Sequence, residues 1–224
     1  MDFFGKNKTG KQILISALMA AISLFVNGLG VYLTIHADIG AGPWDVLNLG
    51  LSKTFGILYG NASITVSVCI LIIDILLHEN IGIAMFIDAF TVGKAVDFFE
   101  WLDIVPVPKS LPGAILMMLV GLVIMGYTQL AYMKAALGCG PRDTLLVGLS
   151  RRMKKIPIGA VSIALLSAAT FIGWLLGGPV GIGTILCAFL SGPIMQLAFM
   201  SVKFNATEIC HQRIRDTVRI IAGK

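Results

Sequence analysis

The sequence predicts an all-α polytopic membrane protein built from two inverted-topology repeats. Each repeat holds three transmembrane helices and one short re-entrant or interfacial half-helix. Three observations carry this. The chain is 57% hydrophobic and 13% charged, against about 25% charged in soluble domains, an apolar excess that no single soluble core absorbs. One stretch occurs twice. The positive charge is concentrated in alternate loops.

The repeated stretch is GAGPWDVLNLGLS (Gly40 to Ser52) and GCGPRDTLLVGLS (Gly138 to Ser150), identical at eight of thirteen positions with an offset of 98. Leu18, Met19 and Gly28 match Leu116, Met117 and Gly126 at the same offset. Downstream the offset becomes 99, so that Gly60, Ser63 and Gly93 match Gly159, Ser162 and Gly192. A fixed-period likeness over this length marks a tandem duplication. Residues 1–105 form unit 1, residues 106–203 unit 2, and residues 204–224 a basic C-terminal cytoplasmic tail.

Taken in order, unit 1 gives spans 13–35, 57–77 and 81–102, and unit 2 gives spans 111–133, 157–177 and 180–202. Each is near the twenty residues that a helix needs to cross some 30 Å of hydrocarbon. The third span is charged, with Asp88, Lys94, Asp97 and Glu100. Half-helices are predicted at 43–55 and 141–153, where Gly-Pro-x-Asp reads as a helix start: proline suits the first position and an acid the first turn. Thirteen residues rise only about 20 Å, too little to cross. The polar triplet His78-Glu79-Asn80 makes a tight turn, and Val105-Pro106-Val107-Pro108 links the units. The tail beyond residue 203 suits an amphipathic surface helix. Trp44, Trp101 and Trp174 suit interfacial belts.

An odd number of crossings per unit forces the units into opposite orientations. With the N-terminus inside, fourteen Lys and Arg lie in inner segments and only Lys53 and Lys109 in outer ones. That is a strong positive-inside bias. Net charge +5 is therefore a topology signal, and nucleic acid is not an expected partner. Cys69, Cys139, Cys187 and Cys210 show no CxxC spacing, so neither a metal site nor a disulfide framework is indicated.

The doublet, with GWLLGGPVGIGT (173–184) and the later SGP (191–193), resembles the YczE/YyaS/YitT group of bacterial integral membrane proteins. The likeness covers nearly the whole chain, and GPRDTLLVGLS is its most specific part. It implies a bacterial inner (cytoplasmic) membrane location, with both termini cytoplasmic on the charge bias above. It implies no particular chemistry.

Paired half-helices in inverted repeats are the architecture of many secondary transporters, whose half-helix N-termini point at a site near the midplane. Gly40, Gly42, Pro43 and Asp45, with Gly138, Gly140, Pro141 and Asp143, are therefore candidate substrate-binding residues. An interfacial helix with a glycine turn and an N-cap explains the same residues. Each acid partly neutralises its own helix start, so a cation, a zwitterion or a proton suits the site better than an anion. Asp88 and Lys94 are further candidates, because charge inside a span costs at least about 2.5–3.5 kcal/mol and their counterparts are Cys187 and Pro193. Against this, Lys94 and Asp97 are i,i+3 neighbours able to pair, and Asp74, four residues from His78, can reach the interface. Gln129, Tyr127 and Tyr132 suit either a cavity lining or helix contacts.

No H-E-x-x-H, G-x-S-x-G, Walker or Rossmann pattern occurs, so neither an enzyme nor a cofactor is expected. The leading expectation is an inner-membrane transporter of a small molecule or ion, with proton coupling through Asp88. The alternatives are a scaffold whose basic inner face docks a cytosolic partner or anionic lipid, and a substrate-binding subunit of a larger transporter. The lipid bilayer is the expected surrounding, and a homo-oligomer is compatible with it.

Overall fold

A computed structural model describes residues 10–203, and all regular structure within them is helical. The order is α1 (Gly10–His36), α2 (Pro43–Phe55), α3 (Tyr59–Leu76), α4 (Ile83–Leu102), α5 (Leu111–Lys134), α6 (Pro141–Arg152), α7 (Ile158–Leu175) and α8 (Ile182–Ser201). The sequence of long, short, long and long helices thus occurs twice. Among the described residues α1, α3, α5, α7 and α8 are long and apolar enough to cross a membrane. The expected sixth span, 81–102, forms α4, but its four charged residues exclude it from that set. The expected tail helix lies outside the described residues.

Local chemistry sets the helix ends. Gly42 and Gly140 precede Pro43 and Pro141, and a proline at the first position gives up no intrahelical hydrogen bond. Gly56 closes α2 with φ +63°, its amide donating to the Ser52 carbonyl. Ser110 caps α5, its hydroxyl accepting from the Gly113 amide at 3.4 Å.

Glycines then bring the long helices together. A Cβ on Gly30 would lie 2.8 Å from the Gly121 carbonyl oxygen, and one on Gly121 2.7 Å from that of Gly30. Only bare backbones approach this closely, the usual device for packing helices in lipid. Asn27 donates to Thr128 at 2.9 Å, Gly30 meets Met125, and Thr34 meets Gly121, so α1 and α5 run antiparallel. Gly28 packs α1 on Ala95 of α4, and Gly126 packs α5 on Ile194 of α8.

The two halves hold each other at the turns before the short helices. Gly40 (φ +105°) lies against Gly181, and Gly138 (φ +126°) lies against Gly82. Beside them the Gly183 amide donates to the Ile39 carbonyl at 2.7 Å, and the Ala84 amide to the Leu137 carbonyl at 3.3 Å. These pairs are equivalent positions with the partners exchanged. The short helices cross over likewise: α2 packs on α7, and α6 on α3. Glu79, placed in a polar turn by the sequence, is buried beside Gly148 and takes Arg152 at 2.7 Å and Arg151 at 3.3 Å.

Gly40→Val and Gly138→Val each force a branched side chain into the left-handed region and into a facing backbone. Each is expected to destabilise the fold by at least about 2 kcal/mol, measured by thermal unfolding in detergent.

Candidate functional site

A cavity of about 300 Å³ lies where the two short helices begin. Its lining includes Gly42, Pro43, Trp44 and Asp45 from α2 and its cap, and Gly140, Arg142 and Asp143 from α6 and its cap. Asp88 of α4 joins them. The walls combine apolar groups such as Val31, Val92, Leu122 and Met195 with the polar Asn27, Thr34 and Gln129. Polar groups set in an apolar wall are the usual make-up of a small-molecule site.

Each carboxylate has a distinct setting. Asp45 is 6% exposed, and its Oδ1 accepts from the Tyr59 hydroxyl at 2.7 Å, which accepts in turn from the Asn48 amide at 3.2 Å. Asp143 faces open space within the cavity, and its Oδ2 accepts from the Gln129 amide at 3.2 Å. Asp88 stands against the start of α6: a Cβ on Gly140 would lie 2.7 Å from its Oδ2 and 3.9 Å from that of Asp143. Glycine at this position admits both acids. The surrounding protein pushes the Asp45 and Asp143 carboxyls above the usual range, while the Arg142 charge and their hydrogen bonds pull the other way.

Trp44 and Arg142 occupy the same place in the two Gly-Pro-x-Asp starts, and they meet. The Arg142 guanidinium carbon lies 5.3 Å from the Trp44 ring centroid, a cation–π contact. The belt position expected for Trp44 is thus not where it sits, whereas Trp101 and Trp174 remain exposed. Three carboxyl groups and one guanidinium line the cavity, so its acidic groups outnumber its basic ones. Among the described residues no group of three or more His, Cys, Asp and Glu is placed to hold a metal ion.

Of the other candidates, Gly40 and Gly138 make the turns, and Pro141 is buried at the first position of α6. None of these three lines the cavity. Lys94 lies apart from it too, bonded to Asn61 at 2.7 Å and to Asp97 at 3.3 Å. Asp74 does not reach an interface: it is fully buried, and neither carboxyl oxygen has a hydrogen-bond partner. Gln129 lines the cavity, whereas Tyr132 is buried outside the lining and Tyr127 is exposed. Sequence reasoning counted Arg142 among the inner charges and gave no site role to it or to Tyr59, Ser63 or Ser67, all of which line the cavity. One signal was there, since the x of the repeated motif is aromatic in one copy and cationic in the other.

An uncharacterized membrane protein of Bacillus subtilis (strain 168), YczE, is 30% identical over 177 residues, 78% of this chain and 81% of its own. An uncharacterized protein of Haemophilus influenzae is 28% identical over 205 residues, 92% and 91% of the two chains. The B. subtilis protein YyaS is 29% identical over 185 residues, 81% of this chain and 90% of its own. No solved structure matches. A model described as a family of unknown function, DUF6198, matches residues 14–200, and the chain belongs to that family.

Proposed function

We propose that the protein is a transporter or permease of the bacterial inner membrane whose substrate binds in the cavity between two inverted repeats. The single observation that carries this is the convergence of both Gly-Pro helix starts on one cavity of about 300 Å³. An inverted relation is supported by the antiparallel α1 and α5 and by the exchanged contacts at Gly40–Gly181 and Gly138–Gly82. In this reading α4 is a sixth span whose Asp88 faces the cavity rather than lipid, and both termini are cytoplasmic. Intramembrane carboxylates turned inward are the usual marks of substrate or proton paths.

The charge balance sets the substrate class. Helix starts favour anions, but Asp45, Asp88 and Asp143 outnumber Arg142. A small organic cation, or a zwitterion with its acidic end near Arg142, fits that balance. Asp88 carries any coupled proton. A scaffold role is favoured less, because it leaves the cavity without a task and because Arg151 and Arg152 of the basic loop are held by Glu79.

A thermal-stability screen of the purified protein with organic cations, zwitterions and anions tests the reading. A cation or zwitterion at about 100 times its Kd should stabilise by about 2.7 kcal/mol, and anions should do nothing. Asp88→Asn is expected to insert and fold yet lose the ligand effect and any transport-linked phenotype. A variant that keeps both would remove Asp88 from the site. Topology has its own check, since maleimide should reach Lys53→Cys from outside and Lys155→Cys from inside. Labelling of both from one side would end the inverted arrangement.

A further inference from the structure

The two halves match wherever their backbones interlock, but they differ at one seam. In the first half α3 packs along α4. A Cβ on Gly93 would lie 3.0 Å from the Gly60 Cα and 3.1 Å from the Ser63 Cβ. Asp97 caps α3 by accepting from the Gly60 amide at 2.6 Å, and Lys94 bridges Asp97 to Asn61. Tyr59, 4% exposed, completes the seal by bonding Asp45.

The equivalent seam in the second half is open. Side chains built at Gly159 and Gly192 would meet nothing within 4 Å. Ile158, in the place of Tyr59, is 53% exposed. Nevertheless Ser191 and Met195, which flank Gly192, line the cavity together with Leu166 of α7. Asp143 is open where Asp45 is closed.

The residues for closing this second seam are present. Gly159 and Gly192 repeat Gly60 and Gly93, and Gln196 stands in the place of Asp97 with a side-chain oxygen able to accept from the Gly159 amide. Gln196 is exposed. Pro193 and Ala160 replace Lys94 and Asn61, so this seam lacks the bridging cation and is the weaker of the two.

We propose that the α7–α8 seam is the entrance to the cavity, that the α3–α4 seam is the closed entrance on the opposite side, and that the two open alternately. The inference rests on the transport reading. Exchanging the conformations of the halves gives the second state without any new contact type: α7 closes on α8 through Gly159, Gly192 and Gln196, and α3 parts from α4. Lys94 and Asp97 then act as a latch on the first entrance rather than as substrate ligands. They set the balance between the states, because a ligand or a mutation shifts a two-state equilibrium only by its difference between the states.

Disulfide trapping in native membranes tests this on the full chain with its four native cysteines replaced. Ser63→Cys with Gly93→Cys reports closure of the first seam, and Ser162→Cys with Gly192→Cys closure of the second. At the first, the two Cβ atoms stand 3.1 Å apart, and a shift of a few tenths of an ångström brings them into the range of about 3.5–4.5 Å that a disulfide needs. The first pair should cross-link readily within one chain and the second slowly. Adding Asp97→Ala, which removes the acceptor of the Gly60 amide and the partner of Lys94, should raise the second rate about tenfold, the size expected for losing a hydrogen bond to a charged group. Gln196→Ala should lower it, and this arm decides the matter if Asp97→Ala fails to accumulate. A second pair that never links within one chain, that links only between chains, or that ignores both variants overturns the proposal. A protein that binds its ligand in the stability screen but never traps the second seam keeps its site and loses the gate.

Discussion

The constraint on which the structure depends is that two short helices begin inside the protein rather than at its edge. A helix start leaves amides without intrahelical partners, and in a chain this apolar such backbone survives only where protein or a water-filled cavity surrounds it. The halves help each other here: the first-turn amides of Gly183 in α8 and Ala84 in α4 donate to the Ile39 and Leu137 carbonyls, in the turns before α2 and α6. Gly40 and Gly138 are required twice over, for positive φ and for a facing backbone that leaves no room for a Cβ.

This mutual dependence explains where the halves have stayed alike. Glycines are shared at the interlocking turns, where a side chain at Gly40, Gly82, Gly138 or Gly181 would meet a facing backbone. Positions facing the cavity are free of that demand, and there the halves have parted. Trp44 faces Arg142, Cys187 stands where the first half has Asp88, and Ile158 where it has Tyr59. A symmetric shell with an asymmetric lining lets one duplicated frame hold a site with a charge pattern that neither half has alone.

Buried charge follows the same division. Glu79 is paired with two arginines across the α3–α6 contact, so its burial is compensated. Asp97 is likewise tied to Lys94 and to the end of α3. The cavity carboxylates receive only neutral donors or none, and Arg142 is shared with the Trp44 ring. Asp74 is also buried without a partner, but alone and outside the cavity, so what sets the three cavity acids apart is that they share one volume.

The duplication, the helix order and the helix ends were legible in the sequence, because hydropathy, proline position and glycine turns act within a few residues of chain. Helices α2 and α6 begin at the prolines that the motif marked. Asp45, Asp88 and Asp143 were legible as candidates, since charge in such surroundings is costly wherever it lies. What the sequence could not decide was which distant groups meet. Lys94 reads as a site residue until Asn61 and Asp97 are seen to hold it, and Trp44 reads as a belt residue until it is found over Arg142. Those outcomes depend on how whole helices cross, a sum of many contacts between residues about a hundred positions apart. Only the tertiary structure fixed them, and with them the difference between a closed seam at Gly60 and an open one at Gly159.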